Sequence, residues 1–197
     1  MEIIDNRALL LKVRNPDRIT TVIPKSKVLE DDGDIASVLV NWGLEEAMVL
    51  KNLRINAPSP INGTYKWPGL HKPFDHQKVT SSFLTMHRRA FCFNEQGTGK
   101  TASVIWAADY LMTQKIIKRV LVICPLSIMD SAWRNDLFRF AMHRRVDVAY
   151  GKPEKRRDII AGDAEFVIIN FDGVEIVSEA IANGKFDLIV VDEANAY

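Results

Sequence analysis

Residues 93–101 read FNEQGTGKT, and Gly97, Thr98, Gly99, Lys100 and Thr101 are the residue types that grip a polyphosphate. Two glycines let backbone N–H groups turn inward, a lysine supplies an ammonium, and a threonine hydroxyl can complete a magnesium shell. Asn94 stands where the pattern G-x-x-x-x-G-K-[ST] has its first glycine. The bends that matter lie beside the phosphates, at Gly97 and Gly99, and asparagine tolerates unusual backbone angles. The spacing therefore predicts a phosphate loop between a strand, AFCF, and a helix, KTASVIWAADYLM.

A second group closes the run FDLIVVDEANAY, where an apolar strand ends on Asp192 and Glu193. A carboxylate at the end of a buried parallel strand can bind Mg²⁺ directly or through water, and its acidic neighbour can polarise an attacking water. A polar turn after a strand is ordinary by itself, but a phosphate loop upstream changes its meaning. Together the two motifs predict a site for ATP and Mg²⁺. Lys100, Asp192 and Glu193 are its catalytic groups, and Thr101 and Asp192 its magnesium ligands. In KPFDHQ, Gln77 lies ahead of the first core helix and can offer its amide, donor and acceptor both, to an adenine edge.

These groups need a scaffold, and from residue 74 the pattern is strand alternating with helix. Apolar β-type runs occupy 89–93, 119–124, 145–150, 165–170 and 186–191, and helical stretches occupy 99–113, 128–142, 153–161 and 173–183. Continuous apolar strands separated by helices predict an α/β fold, a parallel sheet covered on both faces. Ser127 and Asp130 are spaced as a capping box, and Met129, Ala132, Trp133, Leu137 and Phe140 follow helical spacing toward a core. Residues 1–56 read as a small α+β module. In it ALLLKV and ITTVI are predicted to pair as a hairpin, and DIASVLVNWG and EEAMVLKNL to form helices. Residues 57–73, rich in Pro and Gly, read as a connector, and 74–197 as the nucleotide-binding lobe.

Composition narrows the class further. With 47% apolar and 26% charged residues, the chain has the make-up of a globular protein. It has no run of eighteen apolar residues, so no membrane partner is expected, and no secretory leader opens it. Cys92 and Cys124, each inside an apolar run, read as buried inert thiols of a reducing cytoplasm. The net charge of +1 conceals a polarity: residues 115–157 hold eleven Lys and Arg against four acids, whereas 158–197 hold nine acids and one lysine. A basic middle suits a polyanion, although such charges can also mix on a solvated surface.

KPFDHQ, NEQGTGKT, VLVICPLSIMDSAW, VIINFDGV and FDLIVVDEANAY occur in an order and spacing that resembles the superfamily-two helicases. The chain looks most like the Swi/Snf-type DNA-dependent ATPases, and among these like the Swi/Snf-like DNA helicases of phages and prophages. The resemblance implies a RecA-like lobe in which Gln77 contacts adenine, residues 97–101 hold phosphates and metal, and Asp192 with Glu193 serves magnesium and water. It also implies that CPLS and NFDG touch a DNA backbone through Pro125, Ser127, Asn170 and Phe171, and a phage-encoded protein would work in the host cytoplasm. The basic stretch around CPLS agrees, and contacts of this kind read no sequence. Asn195 stands where the family usually has His, Asp or Thr, which leaves coupling through that side chain open.

The sequence ends at Tyr197, where the family continues with a serine/threonine motif and a second RecA-like lobe. That lobe supplies an arginine worth roughly 10³–10⁵ in rate. The expectation is one lobe of a longer ATPase or a natural truncation, with modest nucleotide binding and hydrolysis near background. Two other readings remain: a solitary, non-hydrolysing nucleotide-binding interaction module, and a P-loop kinase, which predicts neither the glutamine motif nor a basic CPLS loop.

Overall fold

In ALLLKV and ASVLVN every second side chain is buried, the pattern of strands with one face on a core. They are β2 (Ala8–Val13) and β4 (Ala36–Asn41), which pair antiparallel at the centre of a sheet. With β1 (Glu2–Ile4) and β3 (Lys27–Asp31) the order is β1-β2-β4-β3. Leu9, Leu11, Val38 and Val40 pack on Ile19 and Ile23, around α1 (Asp17–Thr20), and on Ala47 and Leu50 of α2 (Leu44–Asn52). The computed structural model describes residues 1–194. They divide into two units, Met1–Lys66 with Ser81–Phe91, and Trp67–Thr80 with the residues from Cys92 onward. Helix α3 (Asp75–Thr85) contributes residues to both.

Two expectations for this first unit are corrected. ITTVI is not the hairpin partner of ALLLKV, because Pro16 opens a helical turn there and places Ile19 and Ile23 four residues apart on one buried face. DIASVLVNWG is not a helix: the β-branched Val38 and Val40 alternate inward as strand β4.

The second unit is the α/β lobe. After α4 (Lys100–Thr113) come β5 (Val120–Cys124), a 3₁₀ turn (Leu126–Ile128), a π-helical stretch (Met129–Arg134) and α5 (Asn135–Phe140). Then follow β6 (Val146–Val148), α6 (Pro153–Ala161), β7 (Phe166–Asn170), α7 (Phe171–Ile176), α8 (Ser178–Asn183) and β8 (Leu188–Val191). The four strands are parallel, in the order β6-β7-β5-β8. Val120, Val122, Cys124, Phe166 and Ile168 face one core with α4, the π-helical stretch and α5. Leu121, Ile123, Val167 and Ile169 face another with α6, α7 and α8. Both faces are covered at the central strands β5 and β7, which is why these read as continuous apolar runs, whereas edge strand β8 leaves Ile189 and Val191 exposed on one face.

Residues 89–93 form no strand, contrary to expectation. A strand exists only by pairing, and an apolar run does not by itself supply a neighbour. Here Phe91 and Phe93 stay 81% and 90% exposed while the helix after them packs on the sheet. The expected capping box is also absent. Ser127 accepts at its carbonyl from Ser131 Oγ (2.7 Å), and Asp130 pairs instead with Arg134 (3.2 Å).

The amino ends of the strands are closed by an ion network. Arg144 donates to Asp109 of α4 (2.6 Å) and to Glu165 (2.8 Å), and His143 meets the same Asp109 (2.8 Å). Burial pushes the Glu165 carboxyl up, but the Arg145 N–H and the Arg144 guanidinium outweigh it and hold it below its ordinary 4.5. A carboxyl lowered in the folded state stabilises above its unfolded value, and that contribution fades as pH falls through the folded one. Wild type should therefore exceed Glu165→Gln in urea midpoint at about pH 7, and the gap should close toward about pH 3.

Candidate functional site

Strand register decides which loops meet. Cys124 lies opposite Asn170, and Ile123 opposite Val191, so Pro125, Phe171 and Asp192 leave the sheet together at its carboxyl edge. In open α/β sheets this is the edge where ligands bind. Asp109 of α4 is tied to the opposite edge through Arg144 and Glu165. Lys100 begins that helix nine residues earlier, about 14 Å along its axis, so α4 directs its N-terminus toward the carboxyl side.

The loop before α4 has the shape its glycines promised. Gly97 and Gly99 take left-handed φ values of +82° and +76°, and a Cβ on Gly97 would face open space. No side chain caps α4, which leaves its first N–H groups for an incoming anion. Lys100 Nζ donates to the carbonyls of Asn94 (2.9 Å) and Glu95 (3.2 Å), so its ammonium sits over the loop. Thr98 closes the turn by donating to Glu95 O (2.8 Å), and Thr101 follows Lys100 in the first turn of α4. This donor set fits a nucleotide polyphosphate.

Sequence reasoning missed how the loop is held from outside. Gln77 is buried, accepts from the Phe74 N–H (3.0 Å) and donates to Thr98 O (3.3 Å). His76 reaches the same carbonyl (3.0 Å) and stacks on the exposed Phe74 with ring centroids 5.7 Å apart. Gly99 takes a φ that favours glycine, and a Cβ there would also push the Gln77 amide off its place against Thr98. Asn94 does not use its freedom for positive φ; its side chain donates to Thr80 Oγ1 (2.9 Å) and moors the loop to α3. The only signal for these contacts was the polar spacing of KPFDHQ.

Asp192 and Glu193 occupy a tight turn after β8. Glu193 holds a left-handed φ of +54° and donates its N–H to Asp192 Oδ1 (3.0 Å). Trp133 donates its indole N–H to Asp192 Oδ2 (2.9 Å). Burial, and then the negative charge of Asp192, push the Cys124 thiol up to about 12, so that thiol is inert. Cys92 is half-buried and is not disulfide-bonded. Asn195 lies outside the described residues.

The loops read as DNA-facing differ from one another. Pro125 is half-buried and Ser127 exposed, at the mouth of β5. Asn170 is buried, its side-chain carbonyl taken by Arg156 (2.9 Å), while Phe171 beside it is half-buried. Arg156, one of the eleven cations counted in 115–157, is an internal strut. It donates to Ala149 O (2.8 Å), Gly151 O (2.9 Å) and Asn170, and lies 5.4 Å from the Tyr150 ring centroid. Gly173 leaves room for that guanidinium, since a Cβ there would strike it. Lys152, Lys155 and Arg157 beside it stay exposed.

Comparison with known proteins gives the chain a family and a fold. Residues 39–196 match the family model described as SNF2-related domain. No curated protein matches the chain. Among solved structures it is similar to the Sulfolobus solfataricus SWI2/SNF2 ATPase core in complex with dsDNA, at 18% identity and a TM-score of 0.51, over 64% of this chain and 32% of that one. At that identity the likeness is one of fold, the parallel sheet of a RecA-like lobe, and the chain spans about a third of that structure. Among the described residues no helix is long and apolar enough to cross a membrane.

Removing Arg156 should leave two carbonyls and the Asn170 amide without their donor. Arg156→Ala should cost roughly 3 kcal/mol of stability in chemical unfolding, whereas Lys155→Ala and Arg157→Ala should each stay within about 0.5 kcal/mol.

Proposed function

The chain belongs to the SNF2-related domain family, and on that footing we propose that it is the ATP-binding lobe of an ATP-dependent DNA translocase or helicase. The observation that carries this reading is the carboxyl edge of the parallel sheet. It gathers the ends of β5, β7 and β8, the last carrying the acidic pair Asp192 and Glu193, and α4, which follows the loop with two left-handed glycines, points its N-terminus to the same side. ATP is the ligand, with Gly97, Thr98, Gly99, Lys100 and Thr101 around its phosphates. Mg²⁺ belongs with Thr101 and Asp192, where it would neutralise phosphate charge, and Glu193 orients the attacking water. Gln77, which already braces the loop, reads the adenine, so that base recognition and loop geometry share one side chain.

DNA is the partner, gripped through its backbone. Pro125 and Ser127 bring the loop after β5, and Phe171 the start of α7, to one edge, with Asn170 supporting the second from inside. Lys152, Lys155 and Arg157, at the start of α6 and on its first turns, supply the nearby positive charge. In this reading the chain is the first of two RecA-like lobes that close over ATP, and phosphoryl transfer at full rate draws on an arginine from the second. Kinship with the phage and prophage Swi/Snf-like helicases, and work in a host cytoplasm, belong to the same proposal. The intact pair Asp192 and Glu193 favours this over an inert nucleotide-binding module.

Titration calorimetry with Mg·ATP tests the nucleotide site. Wild type should release heat and Lys100→Ala should release none, and a wild type that is folded yet silent would sink the reading. Filter binding to duplex DNA across a salt series tests the other half. Replacing Lys152, Lys155 and Arg157 with alanine should weaken binding on every sequence alike and lower the log–log salt slope by about 2 to 3. Arg156 must be left in place for that experiment, since its loss would disturb the fold. An unchanged slope would reduce the basic run to a solvated surface.

A further inference from the structure

Trp133 is 1% exposed, and its one polar group ends on the carboxylate of a residue 59 positions away. We propose that Trp133 is a positioning residue for Asp192, tying the magnesium carboxylate to the helical segment that begins at the CPLS loop. The proposal rests on the nucleotide-site reading and extends it to a residue given no role in that site, the last of the VLVICPLSIMDSAW stretch.

Three observations carry it. The indole N–H takes Asp192 Oδ2 at 2.9 Å, while the Glu193 N–H takes Oδ1 at 3.0 Å. One donor on each oxygen fixes the plane of the carboxylate and leaves lone pairs on both oxygens for a cation or its water. The Asp192 N–H donates in turn to Ile123 O (2.9 Å), so backbone and side chain are both anchored.

The second observation is the π-helical stretch Met129–Arg134 that contains Trp133. Met129, Trp133, Leu137 and Ala141 are all buried and spaced by four. In an α-helix each step of four overshoots a full turn by about 40°, so such a row would wind away from the sheet. A wider π turn offsets that drift and keeps the indole facing the strand ends. Turns of this kind are uncommon and concentrate where a side chain must be aimed.

The third is connectivity. Pro125, Leu126 and Ser127 lead directly into the π-helical stretch, and Leu126 is 52% exposed at the mouth of β5. A ligand that shifts this loop shifts the segment holding the indole, and the indole holds Asp192. The link is a single hydrogen bond across a packed core, and Phe in place of Trp removes it while keeping an aromatic ring.

Two measurements on the 197-residue chain test the proposal. Nuclear magnetic resonance reads the Trp133 indole N–H directly, identified among four tryptophans by its loss in Trp133→Phe. Asp192→Asn should shift that resonance, and an unmoved resonance would overturn the proposal whether or not the chain binds ATP. Calorimetry then compares ATP with Mg²⁺ against ATP with a chelator. Trp133→Phe should lose roughly tenfold of the Mg²⁺-dependent gain in affinity and keep the chelator value. In an Asp192→Asn background the same change should have no effect. Equal losses in both backgrounds, or an unchanged Mg²⁺ gain, would show that Trp133 only fills space. If wild type binds no nucleotide, the ATP site itself fails, and the indole shift still decides whether Trp133 holds Asp192.

Discussion

Hydrogen bonds from β5 to β7 on one side, and to β8 on the other, set Cys124 opposite Asn170 and Ile123 opposite Val191. All chemistry proposed for this chain hangs on that register. Parallel strands all run in one direction, so the first polar residue after each apolar run emerges on the same edge. Slipping β8 by one residue would carry Asp192 to the opposite face of the sheet and away from the Trp133 indole. Leu188 and Val190 of β8 pack on the core while Ile189 and Val191 are exposed, and a slip would reverse that one-sided burial.

The two edges of that sheet handle charge in opposite ways. At the amino edge Asp109, Arg144, Glu165 and His143 satisfy one another in a half-buried network that consumes its charges internally. At the carboxyl edge one buried cation, Arg156, is spent on carbonyls and on Asn170, while Lys152, Lys155 and Arg157 stay in water. Removing one member of a buried polar set is costly because its partners stay desolvated. Exposed cations carry no such penalty and keep their charge for a ligand. A count of Lys and Arg along the sequence adds the two kinds together. Burial separates them, and it removes Arg156 from the footprint that the basic run suggested.

What the sequence disclosed followed from local physics. Continuous apolar runs marked β5, β7 and β8, and the glycine pair marked the bend before α4. Where local signals conflicted, the sequence misled. ASVLVN offers apolar residues at both helical and alternating spacing, and only pairing with β2 settles the choice. AFCF has strand composition, but a strand is made by its neighbours as well as its residues, and 90–93 adopt none. Contacts across long separations were invisible. Asn94 with Thr80, Gln77 with Thr98, Arg156 with Asn170 and Trp133 with Asp192 join residues whose proximity the fold alone creates.

Those long-range contacts share a logic that explains the missing glycine. A phosphate loop must be flexible enough in φ to turn its amides inward, yet stiff enough to hold them there before the ligand arrives. Glycine supplies the first property and works against the second, because it loses the most backbone entropy on ordering. Here freedom is confined to Gly97 and Gly99, while Asn94, at the first glycine's place, spends its amide on Thr80. Gln77 and His76 restrain Thr98 between the two glycines, and Lys100 bridges the carbonyls of Asn94 and Glu95. The acidic side follows the same rule, with a strained φ at Glu193 and a carboxylate pinned by one donor on each oxygen. In both halves of the site the group that would touch the ligand is held by a side chain from another part of the chain, Gln77 and His76 for the loop and Trp133 for Asp192.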